Sequence, residues 1–322
     1  MVRLLITRLA FSVPVLFFVS VISFILLRLS PGDPARLQAG IDATPEAVEV
    51  VRKDLGLDQP LPTQYAIWIS KVVRGDLGVS YTTRLPVRTL IAERLPTTAQ
   101  IGLTALLLIV VIGIPLGIWA ALQQDRLPDQ IVRVVSLFGI SVPNFVVGIL
   151  LILLFGWVWP NVWPYEGFVP LTENPLESFR HALLPALCLA LSQVGIIARL
   201  TRASMLEVIN QEYITAARAF GVPEREIIWK DALRNALLPV LTVLGVITGF
   251  LLGGSVVIES VFGIAGLGRL LVESFTLRDY PVTIGVMMFI ATVFVMINLI
   301  VDLLYGIINP RIRAGYEAGQ AA

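Results

Sequence analysis

The sequence predicts an all-α polytopic membrane protein with six transmembrane helices. Three observations carry that expectation. The 322 residues are 56% hydrophobic and 15% charged, with a mean hydropathy of +0.83, whereas soluble domains are about one quarter charged. Several apolar runs exceed the roughly 18 residues that read as a membrane-crossing helix. Basic residues collect on alternate connections: Arg3, Arg8, Arg126, Arg133, Arg311 and Arg313 flank short segments on one side, while Glu166, Glu173 and Glu177 lie on the other. Short cytoplasmic connections are enriched in Lys and Arg, so both termini are expected in the cytoplasm.

The first run, Leu9 to Leu27, follows Arg3 and Arg8. A signal peptide would have a shorter apolar region ending at a small-residue cleavage site. This run instead passes into Arg28-Leu-Ser-Pro-Gly-Asp-Pro34, which marks residues 1–29 as a retained N-terminal helix. Residues 30–98 are polar, with helical spacing over Pro45–Leu55 and Pro62–Arg74, and form an expected extracytoplasmic helical segment. The transmembrane core is expected over 99–305. Its first run spans Ala99–Leu122 and holds Gly113 and Gly117, whose spacing admits a close neighbour, and Pro115, expected to kink it. A turn over Gln123–Gln130 leads to Val132–Trp157, with Pro143 inside.

Trp157, Trp159, Trp163 and Tyr165 then form an aromatic cluster of the kind found at membrane surfaces. Ala182–Leu200 is the fourth run, closed by Arg199 and Arg202. Leu238–Ser260 is the fifth. Its Gly245, Gly249 and Gly253 align on one helix face; they admit close packing, a smooth face for gating, or both. Phe262–Leu270 is a glycine-rich outer loop, Pro281–Tyr305 the sixth run, and 306–322 a cytoplasmic tail. The similar stretches His181–Leu187 and Asn235–Leu241 each open a run with a proline. Proline favours a helix start, so no duplicated fold is inferred.

Between the fourth and fifth runs lies a charged stretch, Glu212–Pro239, inside a cytoplasmic loop over 201–237. Eight charged side chains from Glu212 to Arg234 exclude it from hydrocarbon. It reads as two short helices joined at Gly221-Val222-Pro223. Gly221 suits a left-handed C-cap, Pro223 the first turn of the next helix, and Glu224 and Glu226 its positive dipole end. Ala216, Ala217 and Ala219 permit close docking, and Tyr213 and Phe220 offer aromatic anchors. Either a partner grips this elbow, or it is an amphipathic hairpin lying at the interface.

Enzyme chemistry is not legible. The lysines Lys53, Lys71 and Lys230 follow Arg52, Ser70 and Trp229, so none sits in a phosphate-binding loop of the G-K-[ST] kind. Gly263-Ile-Ala-Gly266-Leu-Gly268 lacks the dinucleotide spacing. One cysteine, Cys188, and one histidine, His181, exclude cysteine-rich and histidine-rich metal sites, and His181 reads as an interfacial or capping residue. A net charge of +1 gives no case for nucleic acid. Glu259 and Asp302 stand near span ends and are expected at the interface, with a pathway-facing or inter-subunit role as the alternative. The polar residues inside the runs include Asn144, Gln193, Thr248 and Asn298, the candidate pathway residues. No central carboxylate is available to an ion-driven carrier.

Thr215-Ala216-Ala217-Arg-Ala-Phe-Gly221, followed by Leu238-Pro239, resembles the coupling loop of permease subunits in ATP-binding-cassette (ABC) importers. Thr215 stands where many members have Glu. Pro31-Gly-Asp-Pro34, Leu55–Leu61, Gly75-Asp-Leu-Gly78, Ser136–Phe145, Glu259–Leu270 and Asn309-Pro-Arg-Ile-Arg313 resemble, in order, the dipeptide, oligopeptide and nickel branch; Asn309 departs from the usual Asp. The resemblance implies the type I (MetI-like) permease fold in a bacterial or archaeal inner membrane. It implies a second homologous permease, two cytoplasmic ATPase subunits that bind ATP and Mg, and an extracytoplasmic substrate-binding protein. The coupling residues it implies are Tyr213, Thr215, Ala216, Ala217, Phe220, Gly221 and Pro223. A stand-alone secondary carrier or channel is the alternative function.

Overall fold

A computed structural model describes residues 2–29, 33–40, 43–54, 56–160 and 162–308. Twelve helices are distinguished among them, with no strand beyond an isolated bridge between Val79 and Pro86. They are α1 (Val2–Leu29), α2 (Pro34–Ala39), α3 (Pro45–Asp54), α4 (Leu61–Val73), α5 (Val87–Leu122), α6 (Leu127–Ser141), α7 (Asn144–Val158), α8 (Pro175–Ile209), α9 (Glu212–Ala219), α10 (224–261), α11 (Leu267–Thr276) and α12 (Tyr280–Ile308). Four are long and apolar enough to cross a membrane: α5, α8, α10 over Glu224–Leu251 and α12 over Tyr280–Val301. The bent pair α6–α7 makes a fifth if counted as one span, and the apolar part of α1, Ala10–Leu26, is shorter.

The long α8 is the centre of the molecule. Its Ala182, Leu184, Cys188, Leu189 and Ile197 are buried in one cluster with Ile101 and Ile109 of α5 and Val240, Ile247 and Ile258 of α10. Small residues set the distances. A Cβ at Gly117 would lie 2.5 Å from Thr201 Cβ and 2.6 Å from the Ala198 carbonyl, and one at Gly195 would lie 2.8 Å from the Ser136 carbonyl. So α5 and α6 both touch the α8 backbone, as small residues at helix interfaces allow.

Several boundaries differ from the sequence expectation. Helix α5 starts at Val87, twelve positions before Ala99, because Val87, Leu90 and Ile91 are buried against Leu267, Val282 and Val286. Tertiary burial overrides the polar composition there. Pro115 does not break the helix; a wide π turn at Ile109–Gly113 accommodates it. The third apolar run is two helices bent by 94°. Pro143 has no N–H to continue α6, and the preceding Val142 is forced into extended backbone (φ −92°, ψ 123°). The second elbow helix is not separate: α10 runs from Glu224 through a π turn at Ile227–Ala232 into the fifth apolar run. Finally, the expected loop Phe262–Leu270 already contains the first turn of α11.

Of the three aligned glycines in α10, two are contact points with α12: a Cβ at Gly245 would overlap Val301, and one at Gly249 would overlap the Phe294 ring. Gly253 meets nothing within 4 Å. Gly249→Ala therefore drives a methyl into an aromatic ring. It is expected to cost about 1–3 kcal/mol, read as a lowered melting temperature of the detergent-solubilised protein, whereas Gly253→Ala leaves it unchanged. The side chain of Asp302 and the whole of Asn309–Arg313 lie outside the described residues.

Candidate partner-docking surface

The elbow is built as a clip. Phe220 is the C-cap of α9, and Gly221 follows with φ +79°, the left-handed conformation that glycine takes without a Cβ clash. The Gly221 N–H donates to the Arg218 carbonyl (3.0 Å) and the Val222 N–H to the Ala217 carbonyl (3.1 Å), the paired bonds of a Schellman motif. Pro223 is the N-cap of α10 (φ −61°, ψ 137°), one position earlier than a first-turn proline. Arg218 donates twice to the Glu224 carboxylate, at 3.1 and 2.8 Å, across the turn, and Lys230 pairs with Glu226. These exposed pairs add little energy; the Arg218–Glu224 pair ties α9 to the start of α10, whereas the Lys230–Glu226 pair lies within α10.

Ile214, fully buried, is what holds the clip to the body. It packs with Ile118, Ala121, Met205, Ile227, Ala232 and Ala236, and Ala217 and Val222 lean on the same cluster. The outward face is left bare. Phe220 is 87% exposed, Trp229 57% and Tyr213 47%, and Thr215, Ala216 and Ala219 are exposed between them. The Tyr213 hydroxyl accepts from Asn235 Nδ2 (3.0 Å), which steadies the ring on α10. An exposed aromatic rim around small residues is a surface shaped for a pocketed partner. Sequence reasoning placed Tyr213 and Phe220 on this face but missed the buried anchors Ile214 and Ile227.

A second fixture braces the base of the elbow. Asp129, fully buried at the start of α6, accepts from Arg202 Nε (2.5 Å) and Nη2 (2.7 Å), from Arg133 Nε (3.2 Å) and Nη2 (2.7 Å), and from the Asp125 N–H (2.9 Å). Arg202 lies in α8, one helical stretch before α9, so the carboxylate ties α6 to the arm that carries the elbow. The sequence signal was an acid at i with an arginine at i+4, Asp129 and Arg133.

On the opposite end, Glu259 is fully buried rather than interfacial. Thr98 Oγ1 donates to its Oε1 (2.7 Å), the Arg269 N–H to its Oε2 (3.0 Å), and Ser255 and the Gly268 N–H also bond it. The carboxylate thus sits on the N-terminus of α11, where the dipole favours negative charge. This explains the glycines of Gly263–Gly268: a Cβ at Gly266 would overlap the Glu259 carboxyl group, and one at Gly268 the Val256 backbone. Gly266→Ala is expected to push α11 off this seat and cost about 2 kcal/mol, measurable as faster trypsin cleavage at Arg269 in the purified protein. Asp279 makes a comparable seat, accepting from Ser80 Oγ (2.5 Å) and the Tyr81 N–H (3.0 Å) and so tying the polar segment to α12.

The candidate pathway residues do not converge on one another through hydrogen bonds. Asn144 opens α7 beside the Pro143 break. Gln193 is buried in α8 and reaches Ser192 Oγ at 3.5 Å. Thr248 and Asn298 donate to carbonyls one turn back, Leu244 (2.8 Å) and Phe294 (3.0 Å). His181 Nδ1 donates to the Glu177 carbonyl (2.8 Å) near the start of α8. No group of three residues suited to hold a metal ion occurs among the described residues.

Comparison with known proteins gives a consistent result. The family described as "Binding-protein-dependent transport system inner membrane component" matches residues 113–314, and its N-terminal counterpart matches residues 1–102. A chain of Brucella abortus named as a peptide transport system permease protein is 45% identical over 317 residues, covering 97% of this chain and 99% of that one. The glutathione transport system permease protein GsiC of Escherichia coli K12 is 43% identical over the same lengths. Among solved structures, an inward-facing MetNI methionine ABC transporter aligns with a TM-score of 0.55 at 18% identity, covering 68% of this chain and 96% of that one.

Proposed function

Because this chain belongs to the binding-protein-dependent transport system inner membrane components, and is therefore the permease subunit of an ABC importer with ATP hydrolysis on partner subunits, we propose that it carries peptides or similar small solutes inward. Its relatives' names support that substrate class. In this reading α1, α5, the bent pair α6–α7, α8, α10 and α12 make six spans of an inner membrane, with both termini cytoplasmic. A second, homologous permease encloses the other half of the pathway. A substrate-binding protein delivers solute from outside, where residues 30–98 meet it or brace the partner.

The observation that carries the reading is the clip at 212–223, an exposed rim of Phe220, Tyr213 and small residues held rigidly on a buried Ile214. It seats in a groove of one ATPase, and Tyr213, Thr215, Ala216, Ala217, Phe220, Gly221 and Pro223 form the contact. Closure of the two ATPases on nucleotide moves α9. The motion passes along α10 to its contacts with α12 at Gly245 and Gly249, with Gly253, the Pro143 break and the polar residues Asn144, Gln193, Thr248 and Asn298 nearer the solute.

Affinity purification from the native host tests the assembly. ATPase subunits, a second permease and a binding protein are expected to co-purify, and proteoliposomes of the whole complex are expected to accumulate peptide only with ATP. Uptake by this subunit alone, driven by an ion gradient, would establish a secondary carrier or channel instead.

A further inference from the structure

The 94° break between α6 and α7 interrupts the backbone ladder of a span. Pro143 has no N–H to offer the Gly139 carbonyl. The last bond of α6 runs from the Val142 N–H to the Phe138 carbonyl (3.2 Å). The first bonds of α7 run from the Val146 and Val147 N–H groups to the Pro143 carbonyl (3.0 and 3.3 Å). Among the described residues no backbone hydrogen bond crosses from one helix to the other. The Ile140 and Ser141 carbonyls and the Asn144 and Phe145 N–H groups therefore lack the partners that a continuous helix would give them. This chain does not cover the break. Ile140 is 39% and Phe145 43% exposed, and Ser141 and Pro143 are exposed between them.

Depth turns this gap into a constraint. Helix α6 runs alongside α8, tied at one end by Asp129 to Arg202. At the other end Gly139 meets the Leu191 carbonyl, which an added Cβ would approach to 3.0 Å. Leu191 is the middle residue of the apolar run Ala182–Leu200 and stands eleven residues, roughly 16 Å, from Arg202. That is about half of a hydrocarbon core ~30 Å thick. At such depth irregular backbone does not face lipid; it is buried in protein or lines a water-filled cavity. Polar side chains from two helices stand at the same level. Asn144 opens α7, and Ser192 and Gln193 follow Leu191 in α8. The Ser141 hydroxyl donates to the Leu137 carbonyl (2.8 Å), so it brings no donor to the open carbonyls.

We propose that the break at Ser141–Asn144 is where this chain touches the solute: the open carbonyls of Ile140 and Ser141 and the side chain of Asn144 line the aqueous pathway at the bilayer centre and accept N–H groups of a peptide. Main-chain acceptors read amide and ammonium N–H groups whatever the side chains, which suits an importer of peptides of varied sequence. The assignment rests on the reading of this chain as a permease for peptides or similar small solutes. The competing cover is the second permease, which would pack the break away from water.

The test uses the whole complex in proteoliposomes, with a charged, membrane-impermeant methanethiosulfonate supplied on both sides. Ser141→Cys and Asn144→Cys probe the break, and Leu150→Cys, at an exposed apolar position of α7, is the reference. The native Cys188 is buried and stays in place. Mass spectrometry of this chain reads the modification. Both break positions are expected to react at least about tenfold faster than Leu150→Cys. Saturating dialanine or glutathione, whichever the unsubstituted complex accumulates with ATP, is expected to slow that reaction by about tenfold. Break positions as unreactive as the reference would place the break against the second permease and overturn the proposal. Reaction that an accumulated solute leaves unchanged would overturn the solute contact. A complex that accumulates neither solute refutes the peptide reading by itself, and the reactivity of the break then decides alone whether it lines the pathway.

Discussion

Phe220→Asp leaves the protein at its normal level in the membrane and lowers ATP-driven uptake by about 100-fold or more. The two halves of that result have separate causes. At 87% exposed, Phe220 contributes almost nothing to the fold, so stability and insertion are unaffected. On the proposed reading its ring fills a pocket on an ATPase, and aromatic anchors at such interfaces are worth ~2–4 kcal/mol; 100-fold corresponds to about 2.7 kcal/mol. Burying a carboxylate in that pocket adds a desolvation penalty. Proteoliposomes containing the full complex and binding protein report peptide uptake and substrate-stimulated ATP hydrolysis together. Gly221→Pro should match it, because proline cannot adopt the φ of +79° found there. Normal uptake in both variants would remove the elbow from the coupling path.

Asp129→Asn produces the largest loss of stability. The substitution keeps the shape but strips the charge that compensates Arg202, itself only 19% exposed, and half-exposed Arg133. Breaking a fully buried pair costs ~3–5 kcal/mol. With Arg133 partly solvated, about 3 kcal/mol is expected, seen as a fall of about 5 °C or more in the melting temperature of the purified subunit. The combination Asp129→Leu with Arg202→Met leaves neither charge stranded and should recover part of that loss. If the double variant melts lower than Asp129→Asn, the carboxylate is acting through something other than its charge.

Most of the architecture was legible because it follows from composition. The apolar runs, the polar segment after the first of them and the glycine-bearing faces all came from residue type and spacing. What escaped was set by tertiary burial. Polar-looking Val87–Leu95 becomes helix because residues 170 to 200 positions away cover it. Glu259 looked interfacial because a carboxylate near a span end usually is; four donors and the tip of α11 make it core. At the elbow the sequence displayed the outward aromatics and the glycine cap. It did not display that Ile214 is the inner anchor, since one isoleucine among polar neighbours has no periodic partner within so short a helix. The Asp129 brace was hidden for a similar reason, because Arg202 is 73 positions distant.

The unbroken passage of α10 from the elbow to Val261 has a mechanical consequence. At about 1.5 Å per residue, its 38 residues make a rod roughly 57 Å long, anchored at one end by the Schellman turn and at the other by the Glu259 seat. A rod of that length acts as a lever: on the proposed reading, a tilt of a few degrees at the ATPase end sweeps several ångströms at the far end, and its two soft joints, the wide turn at Ile227–Ala232 and the internal Pro239, decide how much of the stroke is delivered and how much is lost as bending.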